Sequence, residues 1–213
     1  MLRSLCLLTI ILTAGCDSQD IELQASVFNA QMSESLKVMV YVPMKYFVPE
    51  GMGLKEIKLE PQGQIRFFGQ VRLPKKKDTK IPVYWLIENG EKSFHINTRE
   101  PIINGTAWTV LIAINDTLGG ITIKQNSWRI EQNSAYHNIA IKNGSIYRID
   151  SLALKIKYQD ELNVESSRGW EFFRGPLNSE DARIYSFKIV PLRQVQTMQN
   201  ATVDLAEAYL SMP

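Results

Sequence analysis

Leu36-Lys37-Val38-Met39-Val40-Tyr41-Val42 places Leu36, Val38, Val40 and Val42 on one side and Lys37, Met39 and Tyr41 on the other. An extended chain turns successive side chains to opposite faces, so this alternation predicts a half-buried β-strand. Pro43, Pro49, Gly51 and Gly53 then assign residues 43–53 to a loop. Working outward from this stretch, similar strands are predicted at 64–73, 81–88, 107–114, 120–131, 138–142, 145–158 and 183–190. Asn89-Gly90, Asn104-Gly105 and Asn143-Gly144 can each adopt the positive φ of a tight turn. Asn143-Gly144, between Ile139/Ile141 and Ile146/Ile149, reads as the clearest hairpin. This pattern predicts a mainly β protein, an antiparallel β-sandwich or barrel.

The C-terminus is expected to differ. Val195, Met198, Thr202, Leu205 and Tyr209 recur at helical spacing after Pro191, and Ala201, Ala206 and Ala208 favour helix. Residues 192–210 are therefore predicted to form one helix packed on the sheet.

At the other end, Arg3 supplies a positive charge and Leu5 to Leu12 an apolar run broken only by Thr9. That run has the layout of a signal peptide and is too short for a permanent spanning helix, which needs about 20 residues. Thr13-Ala14-Gly15-Cys16-Asp17 follows. This box resembles the processing site of bacterial lipoproteins, with small residues before the cysteine; Thr13 stands where leucine is usual. The resemblance covers roughly the first 17 residues and implies cleavage before Cys16, with acyl chains on Cys16 anchoring the protein in a lipid bilayer. In enteric bacteria Asp17 after the lipidated cysteine resembles an inner-membrane retention signal. The implied location is the periplasmic face of the inner membrane, or the outer membrane where that sorting rule does not operate. The other cysteine, Cys6, lies inside the signal, so the mature part has no disulfide.

The expected organisation is a signal peptide at 1–15, a lipidated tether at 16–35 and a single β-rich domain at 36–213. Net charge is +2 with Arg3 included, which implies neither nucleic acid nor an acidic substrate. The densest basic cluster, Lys75 to Lys80, reads as a solvated hairpin tip or as a contact for anionic lipid headgroups.

Catalysis has little to work with. The histidines are His95 and His137, and no Gly-x-Ser-x-Gly, His-Glu-x-x-His or phosphate-binding glycine loop occurs. His95 is expected on the opposite strand face from Phe94 and Ile96, and His137 near a turn. Two isolated histidines make a poor metal site, so neither metal nor cofactor is expected. Asp160-Glu161 and Glu180-Asp181 read as solvated loop charges.

Binding is the expected activity. Arg168-Gly169-Trp170-Glu171-Phe172-Phe173-Arg174-Gly175-Pro176 joins three aromatics and two arginines between glycines. Tryptophan and arginine dominate interface hot spots. The glycines suit a projecting loop carrying Arg168, Trp170, Phe172, Phe173 and Arg174; the alternative is a short strand with Trp170 and Phe172 facing the core. Met44, Tyr46 and Phe47 form a second candidate, adaptable contacts on a proline-bounded loop. The expected role is a non-catalytic, protein-binding lipoprotein with a periplasmic partner. Its first form is an immunity protein blocking a toxin delivered to the periplasm, as type VI secretion effectors are. An accessory lipoprotein of an envelope or secretion machine is the alternative, and a solute-binding or hydrolytic lipoprotein the third.

Overall fold

The computed structural model describes residues 18–29, 35–43, 57–74, 79–113, 120–190 and 198–212. These form β1 (Ser18–Asn29), β2 (Leu36–Tyr41), β3 (Ile57–Leu59), β4 (Gln64–Pro74), β5 (Lys80–Asn89), β6 (Lys92–Ile103) and β7 (Thr106–Ala113). They continue as β8 (Ile121–Glu131), β9 (Ser134–Asn143), β10 (Arg148–Gln159), β11 (Glu165–Leu177), β12 (Ala182–Ile189) and β13 (Asn200–Ser211). The protein is mainly β, with no helix among the described residues.

Ten strands belong to one sheet, whose main path is β11-β10-β13-β6-β5-β2-β3. β7 branches from the far end of β6 and continues through β1 to β4. The second sheet is β12-β9-β8. The main path ends at β11 and β3, so the sheet is open and the barrel alternative does not hold. Nor is the pairing wholly antiparallel: β1 runs parallel to β7, and β13 parallel to β6.

The alternation in the sequence carries through to burial. Leu36, Val38 and Val40 are buried while Lys37 is exposed, and β5 buries Ile81, Val83, Trp85 and Ile87. Packing between layers is sandwich-like. Phe67 of β4 meets Trp85 of β5 edge-on at 6.1 Å, and Phe173 of β11 meets Tyr185 of β12 edge-on at 5.3 Å. Buried side chains from both sheets join one hydrophobic cluster.

Two of the three Asn-Gly turns close hairpins. Asn89 pairs with Lys92, and Ile103 with Thr106 around Asn104 and Gly105, both at positive φ. Asn143-Gly144 does not: β9 pairs with β8 and β12, whereas β10 pairs with β11 and β13, so this segment crosses between sheets. Asn143 is fully buried, and its Nδ2 donates to the carbonyl oxygens of Tyr147 at 2.7 Å and Leu177 at 3.0 Å. Its Oδ1 accepts from Ser145 Oγ at 2.6 Å. Glycine suits the close approach at position 144, where a Cβ would lie 3.1 Å from the Gly120 carbonyl oxygen.

The expected C-terminal helix is corrected over residues 200–210, which lie in β13 between β10 and β6; residues 192–197 fall outside the described set. A register shift against β10 between Ala153 and Leu154 explains the misreading. Ala201, Val203 and Leu205 are buried before it, Ala208 and Leu210 after it, with Ala206 buried between. An extra residue breaks the period of two and imitates helical spacing. The tether expected at 16–35 is corrected as well, because residues 18–29 form β1, a strand paired on both sides.

Candidate binding face

The aromatic-arginine segment is not a projecting loop. Residues 165–177 are β11, the edge strand beside β10. Its side chains alternate: Gly169, Phe173 and Leu177 turn to the core, while Arg168, Trp170, Phe172 and Arg174 turn to solvent. Trp170 is 52% exposed and Phe172 59% exposed, whereas Phe173 is buried. The core-facing alternative for Trp170 and Phe172 is thereby corrected too.

The glycines have packing duties, not loop duties. A Cβ on Gly169 would lie 2.9 Å from the Ile189 side chain of β12, and one on Gly175 would lie 2.3 Å from the Ile149 carbonyl oxygen. Gly175 sits where β10 shifts register between Ile149 and Ser151, and only hydrogen fits there.

Register extends the face across the sheet. Trp170 pairs with Lys155 and Phe172 with Ala153 on β10; Lys155 pairs with Asp204 and Ser151 with Tyr209 on β13. Tyr209 pairs with His95 on β6, and the two rings stack at 4.4 Å. Opposed charges lace the surface: Lys155 Nζ lies 3.0 Å from Glu91, Lys157 Nζ 3.9 Å from Asp204, and Arg168 pairs with Glu165. The Glu165 carboxyl is lowered from its ordinary range, chiefly by its hydrogen bond from Arg168. Rim ion pairs of this kind favour orientation over affinity; the flat apolar area comes from Trp170 and Phe172.

His95 lies opposite the buried Phe94 and Ile96, as its neighbours in sequence imply. His137 is instead buried within β9, facing β10, with Trp128 and Phe187 beside it. Its Nε2 lies 2.9 Å from the Tyr158 hydroxyl, and its Nδ1 is buried with no partner among the described residues. Burial lowers its pKa to about 4, which keeps it neutral near pH 7. On the opposite face of this sheet Arg129 and Lys188 lie 5.2 and 5.4 Å from the Tyr136 ring centre, beside a cleft of about 590 Å³.

A third exposed patch, Phe68 on β4 and Trp108 on β7, escaped sequence reading. Both pair with Gln24 of β1 and share its face. Cys16, Asp17, Met44, Tyr46 and Phe47 lie outside the described residues. No group of three His, Cys, Asp or Glu able to hold a metal occurs among the described residues.

The sequence matches no protein-family model and no curated protein. Among solved structures it is similar to beta-glucuronidase 2 of Bacteroides uniformis, at 11% identity and a TM-score of 0.23, over 89% of this chain and 24% of that one. It is also similar to the secreted serine protease VesC of Vibrio cholerae, at 9% identity and a TM-score of 0.18, over 90% of this chain and 48% of that one. The chain thus spans about a quarter of the first protein and about half of the second. Likeness this slight carries no inference about activity.

Proposed function

We propose that the mature chain is a β-sandwich lipoprotein, held by acylated Cys16 at the periplasmic face of the inner membrane, that binds a protein partner without catalysing a reaction. The observation that carries the binding role is the pair Trp170 and Phe172, both more than half exposed on one face of edge strand β11, with Arg168 and Arg174 on either side. An exposed aromatic pair rimmed by charged side chains is the kind of surface that marks a protein–protein contact. Arginine and tryptophan together are the composition of interface hot spots. The lipobox Thr13-Ala14-Gly15-Cys16 and Asp17 support the anchor and its address.

Within this role the narrower reading is an immunity protein that blocks a periplasm-delivered toxin by covering its working surface; an accessory subunit of an envelope or secretion assembly uses the same face. Wild-type and Cys16→Ser proteins labelled with palmitate test the anchor: label in the wild type alone is expected, and equal label in both removes it. Affinity capture from periplasmic extract with wild type and Trp170→Ala tests the binding role. A partner retained by wild type and lost by the variant is expected, and identical retention removes the β11 face.

A further inference from the structure

We infer that a basic cleft where β5 and β10 begin and β13 ends binds the phosphate of an anionic phospholipid headgroup. The lipid source rests on the anchor reading above; the cleft itself does not. Lys80, Arg99 and Arg148, from β5, β6 and β10, line an opening of about 450 Å³ together with Asp150, Asn97 and Ser211. Arg148 is partly neutralised by Asp150 at 2.9 Å. Lys80 and Arg99 are exposed and meet no carboxylate among the described residues. The cleft therefore holds three cations against one carboxylate.

Two further atoms point to a polar occupant. Asn97 Oδ1 and Ser211 Oγ are buried and have no partner among the described residues. Leaving a buried polar atom without a partner is unfavourable, so a ligand that bonds there removes part of that penalty. The Ser211 hydroxyl donates to a phosphate oxygen, Asn97 Oδ1 accepts from a glycerol hydroxyl, and the guanidinium of Arg99 suits phosphate geometry. A headgroup carrying both phosphate and glycerol hydroxyls satisfies the set better than bare phosphate.

Chain length bounds how far this cleft can lie from an anchor at Cys16. Ser18, which opens β1, pairs with Pro74 at the end of β4. Lys80 follows only six residues later, within about 20 Å by chain length, and pairs with Pro101 near the end of β6. Arg148 opens β10 opposite Ser211, which itself pairs with Asn97. Cys16 precedes Ser18 by two residues, so an acyl anchor there holds this end within reach of headgroups.

The test titrates the full chain in nonionic detergent with glycerophosphoglycerol, glycerophosphocholine and inorganic phosphate, reading affinity by calorimetry. Glycerophosphoglycerol is expected to bind at least tenfold more tightly than the other two, and Arg99→Ala or Lys80→Ala to weaken it at least tenfold with an unchanged melting temperature. Lys80→Arg should retain binding and guards against a misfolded alanine variant. Inorganic phosphate binding as tightly as glycerophosphoglycerol overturns the lipid assignment, and affinities unmoved by both alanine variants overturn the site. Palmitate labelling separates the two readings: a labelled protein that ignores glycerophosphoglycerol loses the cleft and keeps the anchor, and an unlabelled one that binds it does the reverse.

Discussion

His137 Nε2 lies 2.9 Å from the hydroxyl of Tyr158, a polar contact that joins β9 of the small sheet to β10 of the large one inside an aromatic cluster. Its neighbours Trp128, Phe187 and Tyr158 supply no charge, so burial alone sets its protonation.

This burial predicts an acid-sensitive fold. The folded pKa is about 4 and the ordinary value 6.5, so between these values the unfolded chain binds the additional proton. The contribution is complete above about pH 6.5 and is lost as pH falls toward 4, by on the order of 3 kcal/mol in total. Urea unfolding at pH 7 and pH 4.5 measures it. His137→Gln should lower stability at pH 7 and flatten the slope across that window; an unchanged slope refutes the assignment.

The β11 glycines predict two costs of different size. In Gly175→Ala the new methyl meets backbone oxygens of Ile149 and Asp150, which cannot move without shifting β10. A loss of about 3 kcal/mol or more is expected. In Gly169→Ala it meets the Ile189 side chain, which can change rotamer, so about 1–2 kcal/mol is expected. Chemical denaturation of the two variants should rank them in that order.

Asn143 predicts a third. Its amide holds together the crossing from β9 to β10 and the end of β11 by donating to the carbonyls of Tyr147, Leu177 and Asn178, the first of which also accepts from Ser145 Oγ. Asn143→Ala leaves several buried groups unpaired, at about 1–3 kcal/mol each before relaxation. The melting temperature should fall by well over 5 °C, on the scale of 2–4 °C per kcal/mol for a chain of roughly this size.

Residues that explain the fold were unevenly visible in the sequence. β2 and β5 were legible because each keeps one buried face over its length. β13 was not, since Ala206 interrupts its alternation and its alanines have high helix propensity, which pairing with β10 and β6 overrides. Asn143-Gly144 announced a sharp change of direction but not its destination, because a turn dipeptide does not encode which sheet receives the next strand. At the candidate site, Arg168, Trp170, Phe172 and Arg174 already stood at alternate positions, with Gly169 and Phe173 between them. The glycines obscured that period by suggesting a loop. Phe68 and Trp108 were beyond reach, because only the β1 pairings bring residues 40 apart in sequence onto one face.

The β11 face makes the sharpest prediction, since adjacent phenylalanines have opposite surroundings. Phe173 is 1% exposed and packs edge-on against Tyr185, so Phe173→Ala should cost about 3–5 kcal/mol of stability. Phe172 is 59% exposed and Trp170 52%, so truncating either should move stability by under about 1 kcal/mol. Partner binding should respond in the opposite sense. Trp170→Ala and Phe172→Ala should each weaken the captured partner by 2 kcal/mol or more, roughly thirtyfold in Kd, if they sit at the centre of the contact. Arg174→Ala should act in the same direction, and His95→Ala, at the far end of the face, should retain binding. Affinity and melting temperature measured on the same variants separate the two kinds of residue. Weakened binding that tracks lost stability across the series, with Trp170→Ala as unstable as Phe173→Ala, would return these aromatics to the core and leave β11 without a recognition role.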